Sequence, residues 1–133
     1  MLADAPFNRT TGEIIGAAIE VHRLLGPGLL ESVYVSCLQY ELTARRLRFV
    51  SQHAVPVVYK EAVLGAAYRI DLIVEDLVVV EVKAVERLLA VHQAQVLTYL
   101  GLTRCPAGLL VNFNVAKLTD GVKRLINPRT RGA

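Results

Sequence analysis

Apolar and polar positions along the chain follow two different periods. In the first third of the chain, apolar residues recur at the three- and four-residue spacing of an amphipathic helix. A first helix is predicted to begin near Thr10, in a Thr10–Glu13 capping box, and to end before Gly26. A second helix is predicted from Leu29 to Arg46.

The rest of the chain is rich in valine, isoleucine and leucine, which favours strands. In chain order, the pattern predicts strands Phe49–Tyr59, Ala66–Val74 and Val78–Lys83, a helix Ala90–Leu102, and strands Ala107–Phe113 and Gly121–Ile126. The order ααβββαββ places a helix between two strands, which indicates an α/β fold with a mixed sheet flanked by helices. We expect one domain over residues 1–133, with a core of about residues 10–126 and a tail at residues 127–133.

Composition excludes several classes of protein. With 53% hydrophobic and 20% charged residues the chain is not expected to be disordered, and no apolar run is long enough to span a membrane. The first ten residues lack the layout of a signal peptide. Cys37 and Cys105 are too isolated for a disulfide framework or a zinc site, so we expect a cytoplasmic protein. The net charge of +3 is compatible with nucleic-acid binding but is only weak support for it.

Two neighbouring predicted strands carry ionisable residues in apolar surroundings. Alternation along the second strand predicts an apolar face, formed by Ile70, Leu72 and Val74. Arg69 and Asp71 then share the other face, and Glu81 and Lys83 share a face of the next strand. A two-residue turn would place the two acids on opposite faces, whereas a three-residue connection, Glu75–Leu77, would pair them directly.

Opposed carboxylates repel unless a cation lies between them, so we predict the three-residue connection and a hard divalent ion such as Mg²⁺. From spacing alone an alternative stays open, in which the acids form ordinary surface ion pairs with Arg69 and Lys83.

The spacing from Asp71 to Glu81-Val82-Lys83 resembles the D…(D/E)XK signature of PD-(D/E)XK nucleases. Ile70 replaces the proline that gives this superfamily its name. The resemblance covers about residues 10–126.

Other segments strengthen this resemblance. Gly28–Tyr34 matches the GxxExxY motif of a small bacterial family within the superfamily. Gln95 and Tyr99 have the QxxxY spacing of RecB-like members, and the stretches Gly108–Phe113 and Val122–Ile126 resemble the closing strands.

The resemblance implies a restriction-endonuclease-like fold and a role for each matching residue. Asp71 and Glu81 would be the core metal ligands, with the Val82 carbonyl as a third ligand. Glu31 would reach the same metal from the second helix, although its place near a helix N-terminus also suits the helix dipole.

The remaining roles concern water and substrate. Lys83 would orient or activate the attacking water, and Gln95 would contact phosphate or water. The supporting or substrate-binding residues would be Arg69, His92, Tyr99 and Tyr34. Both tyrosines also suit simple packing, and His92, Gln95 and Tyr99 are expected on one helical face.

The function implied is that of a Mg²⁺- or Mn²⁺-dependent nuclease acting on nucleic acid, more on DNA than on RNA, and by analogy as a homodimer. The alternative is a nucleic-acid-binding or protein-interaction module with a weak or inactive nuclease-like site. The sequence leaves open the strandedness of the substrate, endo- or exonuclease action and sequence preference.

Overall fold

The computed structural model describes residues 5–131, without the side chains of residues 66, 67, 130 and 131. The helices are α1 (Pro6–Leu25), α2 (Glu31–Ala44), α3 (Ala90–Thr103) and the short α4 (Pro128–Arg131). The strands are β1 (Phe49–Tyr59), β2 (Ala62–Val74), β3 (Val78–Lys83), β4 (Ala107–Asn112) and β5 (Val122–Ile126). The predicted α/β class and element order are confirmed, with a 3₁₀ turn at Leu118–Gly121 and α4 added.

The first helix begins earlier than predicted. Pro6 occupies its first turn, where a missing N–H costs nothing, and Phe7 is buried in the core. The hydroxyl of Thr11 donates a hydrogen bond to the carbonyl of Asn8 (3.0 Å) inside the helix. The predicted capping box was therefore wrong. Gly26 (φ 67°) ends the helix, as predicted.

The five strands lie in the order β1-β2-β3-β4-β5. Only β3 and β4 run parallel, and α3 supplies the crossover between them. β2 begins four residues before the prediction because its pairing with β1 continues to a turn at Lys60–Glu61, where Tyr59 pairs with Ala62. The central strands β3 and β4 are buried because helices cover both faces of the sheet.

Two apolar clusters lie on opposite faces of the sheet. The α1–α2 cluster joins the first two helices to side chains such as Val80 and Leu109. The smaller α3 cluster joins α3 to side chains such as Val79 and Leu110. Ile70 packs in the α3 cluster, so its predicted place beside Leu72 was wrong.

A local break explains the position of Ile70. The β1–β2 ladder pairs Ser51 with Leu72 and His53 with Ile70 and skips the intervening pair, Gln52 and Asp71. Gln52 has a φ of 52°, far from strand values. Strict alternation of side chains holds only along a regular strand, so Ile70 and Leu72 point to different clusters.

The end of the domain also differs from the prediction. Asn127 is buried, and its amide donates to the carbonyls of Leu100 (3.0 Å) and Cys105 (2.9 Å). Residue 127 is therefore anchored in the domain, and α4 follows it. Within residues 5–131, none of the helices combines the length and the apolar character needed to cross a membrane.

Candidate active site

The register between β2 and β3 places the two predicted acids opposite each other. The ladder pairs Ile73 with Val79 and ends at the pair of Leu72 with Val80. Asp71 and Glu81 occupy the next position along each strand. The connection of Glu75, Asp76 and Leu77 is the predicted one, with positive φ at its first two residues. The predicted three-residue connection is confirmed, and the two acids meet just beyond the last ladder pair, through a side-chain hydrogen bond.

Each acid is held by the backbone of the other strand. The N–H of Asp71 donates to Glu81 Oε1 (3.0 Å), and the N–H of Val82 donates to Asp71 Oδ2 (2.8 Å). Charged acceptors form the stronger class of hydrogen bond, so both carboxylates are fixed in position. Each keeps a second oxygen outside this pair of bonds.

Burial and the charges of neighbouring carboxylates disfavour the ionised forms of both acids. The side chain of Glu81 is 4% exposed, and its desolvation, together with the charge of Asp71, raises its pKa to about 7. Desolvation also raises the pKa of Asp71, against the Val82 N–H bond and the charge of Lys83. Gln52, whose side chain bonds to Asp71, lowers that pKa slightly. A cation bound between the two carboxylates would favour their ionised forms and lower both pKa values.

Lys83 ends β3 two residues after Glu81, and its positive charge lowers the pKa of both acids. Its carbonyl accepts the N–H of Phe113 (2.9 Å). The side chain of Asn112 holds the next segment, accepting the N–H of Val85 (3.0 Å) and donating to its carbonyl (2.9 Å). The backbone on both sides of Lys83 is thus fixed to the end of β4.

Glu31 reaches the same end of β3 from the first position of α2. Its Oε2 accepts the N–H of Ala84 (3.3 Å), and its charge raises the pKa of Asp71 and Glu81. Tyr34 lies deeper, stacked on Phe113 with ring centroids 4.4 Å apart. It supports the loop before Glu31 and does not line the acidic site.

One face of α3 borders the acids. Burial and the charges of Glu81 and Asp71 raise the pKa of Tyr99 to about 12, and the side chain of Gln95 bonds to its hydroxyl. His92 accepts the N–H of Leu89 at Nδ1 (2.9 Å), at the start of α3. His92, Gln95 and Tyr99 line one groove of about 390 Å³, so their predicted common face is confirmed.

A comparison with models of known protein families gives a match over most of the chain. The family model of the PD-(D/E)XK nuclease superfamily matches residues 8–125. The chain belongs to the PD-(D/E)XK nuclease superfamily. No curated protein and no solved structure gives a significant match.

Nucleases of the PD-(D/E)XK superfamily generally use divalent metal ions, and the donor set here fits such an ion. Asp71 and Glu81 offer hard carboxylate oxygens on one face of the sheet. Among residues 5–131, no three carboxylate, histidine or cysteine side chains converge as a complete metal site. That is compatible with Mg²⁺, which is often bound by one or two carboxylates and completed by water and substrate phosphates.

The site brings together most but not all of the predicted residues. The charges of Glu31 and Lys83 act on both acids. Gln95 bonds to Tyr99, which lies within reach of the charges of both acids. Val82 contributes an N–H bond to Asp71, and its carbonyl stays a predicted ligand. Arg69 is exposed on β2, and no contact between it and the acids is found among the described side chains.

Sequence reasoning missed three residues around this PD-(D/E)XK site. Gln52 bonds to Asp71, Asn112 clamps the segment after Lys83, and Tyr68 lines the groove beside Tyr99. The one available signal was Asn112, a polar residue at the end of an apolar strand. Nothing local marks Gln52 or Tyr68, because both depend on the pairing of distant segments.

Proposed function

We propose that the protein is a nuclease that hydrolyses phosphodiester bonds of nucleic acid with Mg²⁺ or Mn²⁺ bound at Asp71 and Glu81. One observation carries the proposal. The buried Glu81 and the half-buried Asp71 lie opposite each other, each held by a backbone N–H of the other strand, beside the charge of Lys83. Burial raises the pKa of both acids, so their ionised forms cost stability, and perturbed acids of this kind cluster at functional sites.

Each group has a defined part in the proposed reaction. The bound metal would supply Lewis-acid activation of the scissile phosphate and of the attacking water. Asp71 and Glu81 would hold the metal, assisted by the Val82 carbonyl and by Glu31. Lys83 orients the water and stabilises negative charge that develops on the phosphate.

Substitution of Asp71 tests the proposal directly. Asp71→Asn keeps an oxygen that can accept the Val82 N–H bond, so the fold is retained while the charge is lost. We expect about a 10²–10³-fold loss of metal-dependent cleavage, the scale seen when a main electrostatic contact of a transition state is removed. Cleavage is measured on single-stranded and duplex DNA and RNA in Mg²⁺ and in Mn²⁺.

A matched control is available at the other end of β3. Asp76 is exposed in the turn before that strand, and asparagine tolerates its φ of 54°. Asp76→Asn should cleave like the wild type. Full activity in Asp71→Asn would overturn the proposed site.

A second function is favoured by the incomplete set of metal ligands among residues 5–131. The domain would then bind nucleic acid or another protein and would turn over little or no substrate. Calorimetric titration of Mn²⁺ separates the two functions. Binding that disappears in the Asp71→Asn/Glu81→Gln double variant supports the nuclease, whereas salt-dependent nucleic-acid binding without turnover supports the binding module.

The finer parts of the proposal rest on the sequence resemblance. We propose a GxxExxY-type bacterial protein that acts in the cytoplasm on DNA rather than RNA, as a homodimer. Contacts of the Gly28–Tyr34 motif support the first point. Tyr34 donates to the carbonyl of Gly26 (2.6 Å) and accepts the N–H of Leu29 (3.1 Å), which fixes the start of α2. A monomer mass in light scattering would contradict the dimer.

A further inference from the structure

A groove between β2 and α3 adjoins the acidic site. It encloses about 390 Å³, within the range of ligand pockets, and is lined mainly by α3 and by Tyr68 of β2. The groove and the acids share a wall, because Tyr99 lines the groove and also lies within reach of the charges of Glu81 and Asp71.

The groove offers an aromatic surface. The ring of Tyr68 is held edge-to-face against Tyr99, with centroids 6.0 Å apart and an interplanar angle of 69°. Tyr99 is 2% exposed and supports Tyr68 from the protein side, whereas Tyr68 is 43% exposed. Val91, 65% exposed, adds an apolar surface at the start of α3. A flat ring can therefore stack here with one tyrosine already held in place.

Hydrogen-bonding groups accompany this aromatic surface. His92 accepts the Leu89 N–H at Nδ1, so in the neutral ring Nε2 carries the proton and is a donor. The amide of Gln95 both donates and accepts, and the hydroxyl of Thr98, which donates to the Ala94 carbonyl, retains acceptor capacity. Such a mixture suits the edge of a nucleobase, which presents donors and acceptors side by side.

The position of the groove fits a nucleotide that is also held at the acids. Tyr68 precedes Asp71 by three residues on β2, roughly 10 Å along the strand. A single nucleotide can span that separation from phosphate to base. The base beside a phosphate at the acids therefore comes within reach of Tyr68.

We propose that this groove binds one unpaired nucleobase next to the phosphodiester held at Asp71 and Glu81, so that the substrate is a single-stranded segment or strand end. The inference rests on the proposed nuclease function for the phosphate side. Within a duplex a base is stacked on both faces and its pairing edge is occupied, so only an unpaired or extruded base can stack on Tyr68.

Binding without metal tests the groove independently of cleavage. A short labelled oligonucleotide, single-stranded or annealed to its complement, is titrated with protein in EDTA, and fluorescence anisotropy is recorded. Tyr68→Ala should weaken single-strand binding about tenfold or more, on the scale of a lost base–aromatic stack, and change duplex binding little. Tyr68→Phe keeps the ring and should bind like the wild type.

The chain offers a control of the same residue type. Tyr40, on α2, is 75% exposed and does not line the groove, so Tyr40→Ala should leave both affinities unchanged. As a second readout, a 2-aminopurine base in the single strand should change its fluorescence on binding to the wild type and less on binding to Tyr68→Ala.

The outcomes separate this inference from the proposed function. Unchanged single-strand affinity in Tyr68→Ala, or an equal loss for single strand and duplex, overturns the groove inference. Cleavage that needs Asp71 but is indifferent to Tyr68 overturns the groove inference alone. Tyr68-dependent single-strand binding by a protein that cleaves nothing supports the groove and overturns the nuclease. A protein that neither binds single strands in EDTA nor cleaves any nucleic acid with Mg²⁺ or Mn²⁺ overturns both.

Discussion

The two faces of the sheet have opposite chemistry, although the same strands form both. Along β3, Val78, Val80 and Val82 enter the large α1–α2 cluster. Val79 and Glu81 lie on the α3 side, with the smaller cluster and the acids. A large apolar core on one face can thus offset the cost of buried carboxylates on the other.

The largest expected effect comes from two neighbouring leucines of β4. Leu109 packs in the α1–α2 cluster and Leu110 in the α3 cluster, and both are fully buried. Leu109→Ala should lower the free energy of unfolding by about 3–5 kcal/mol. Leu110→Ala should cost less, about 2–3 kcal/mol. Leu110 pairs with Glu81 in the ladder, so water can enter the space left by the leucine and solvate that carboxylate. This solvation offsets part of the cost of the lost packing.

Urea unfolding of both variants checks this difference. Equal costs, or a larger cost at Leu110, would contradict the idea that the α1–α2 face carries most of the stability.

The next effect concerns pH, because the pKa of Glu81 is raised from 4.5 to about 7 in the folded protein. The folded state binds this proton more tightly than the unfolded chain does, so unfolding releases it between these pH values. Without metal, the contribution of Glu81 to the free energy of unfolding should be fully present below pH 4.5. It should be lost as pH rises to 7, by at most about 3 kcal/mol.

A glutamine at position 81 cannot ionise, so Glu81→Gln should reduce the loss of stability with rising pH. The variant should then be more stable than the wild type at pH 8 in EDTA. Asp71 has a raised pKa and leaves part of the pH dependence in place. Urea unfolding at pH 5 and pH 8 measures the effect, and added Mg²⁺ should stabilise the wild type more than the variant at pH 8. The exposed Glu61, changed to Gln, is the control, and an unaltered pH profile in Glu81→Gln would refute the effect of its burial.

The smallest effect tests how the apolar face supports the acidic one. Tyr34 packs in the α1–α2 cluster, yet its hydroxyl holds the loop that leads to Glu31. Tyr34→Phe keeps the stack on Phe113 and removes two hydrogen bonds, so we expect a loss of about 1–2 kcal/mol in unfolding free energy. Thermal unfolding measures it, and a variant as stable as the wild type would show that the loop is held by other contacts.

Much of the fold could be predicted because its signals are local. The apolar runs of β3 and β4 and the helical period of α1 are visible in short windows of sequence. The approach of Asp71 to Glu81 was also predictable, since a two-residue turn would place the acids on opposite faces and a three-residue connection places them together. The resemblance to the superfamily's motifs then assigned Glu31 and Gln95 to the same site.

What escaped prediction depends on contacts between distant segments. Gln52 has a left-handed backbone conformation where the β1–β2 ladder is interrupted, and Ile70 packs in the α3 cluster beyond this break. No residue near Ile70 in the sequence predicts the break. The amide of Asn127 is buried against two carbonyls that come together only in the folded chain. The early start of α1 escaped because the hydroxyls at Thr10 and Thr11 suggested a cap, although Pro6 and Phe7 favour an earlier start.

The exchange of backbone hydrogen bonds between Asp71 and Glu81 bears on how such a domain would evolve. Each acid replaces part of the normal ladder between two strands, so natural selection for a folded sheet and selection for catalysis act on the same two positions. A descendant that had lost its activity would therefore tend to keep an oxygen acceptor at both positions, either the acid or its amide. Lys83 serves the sheet through its backbone carbonyl, which any residue could provide. Among related sequences, the lysine is the better marker of a domain that still cuts its substrate.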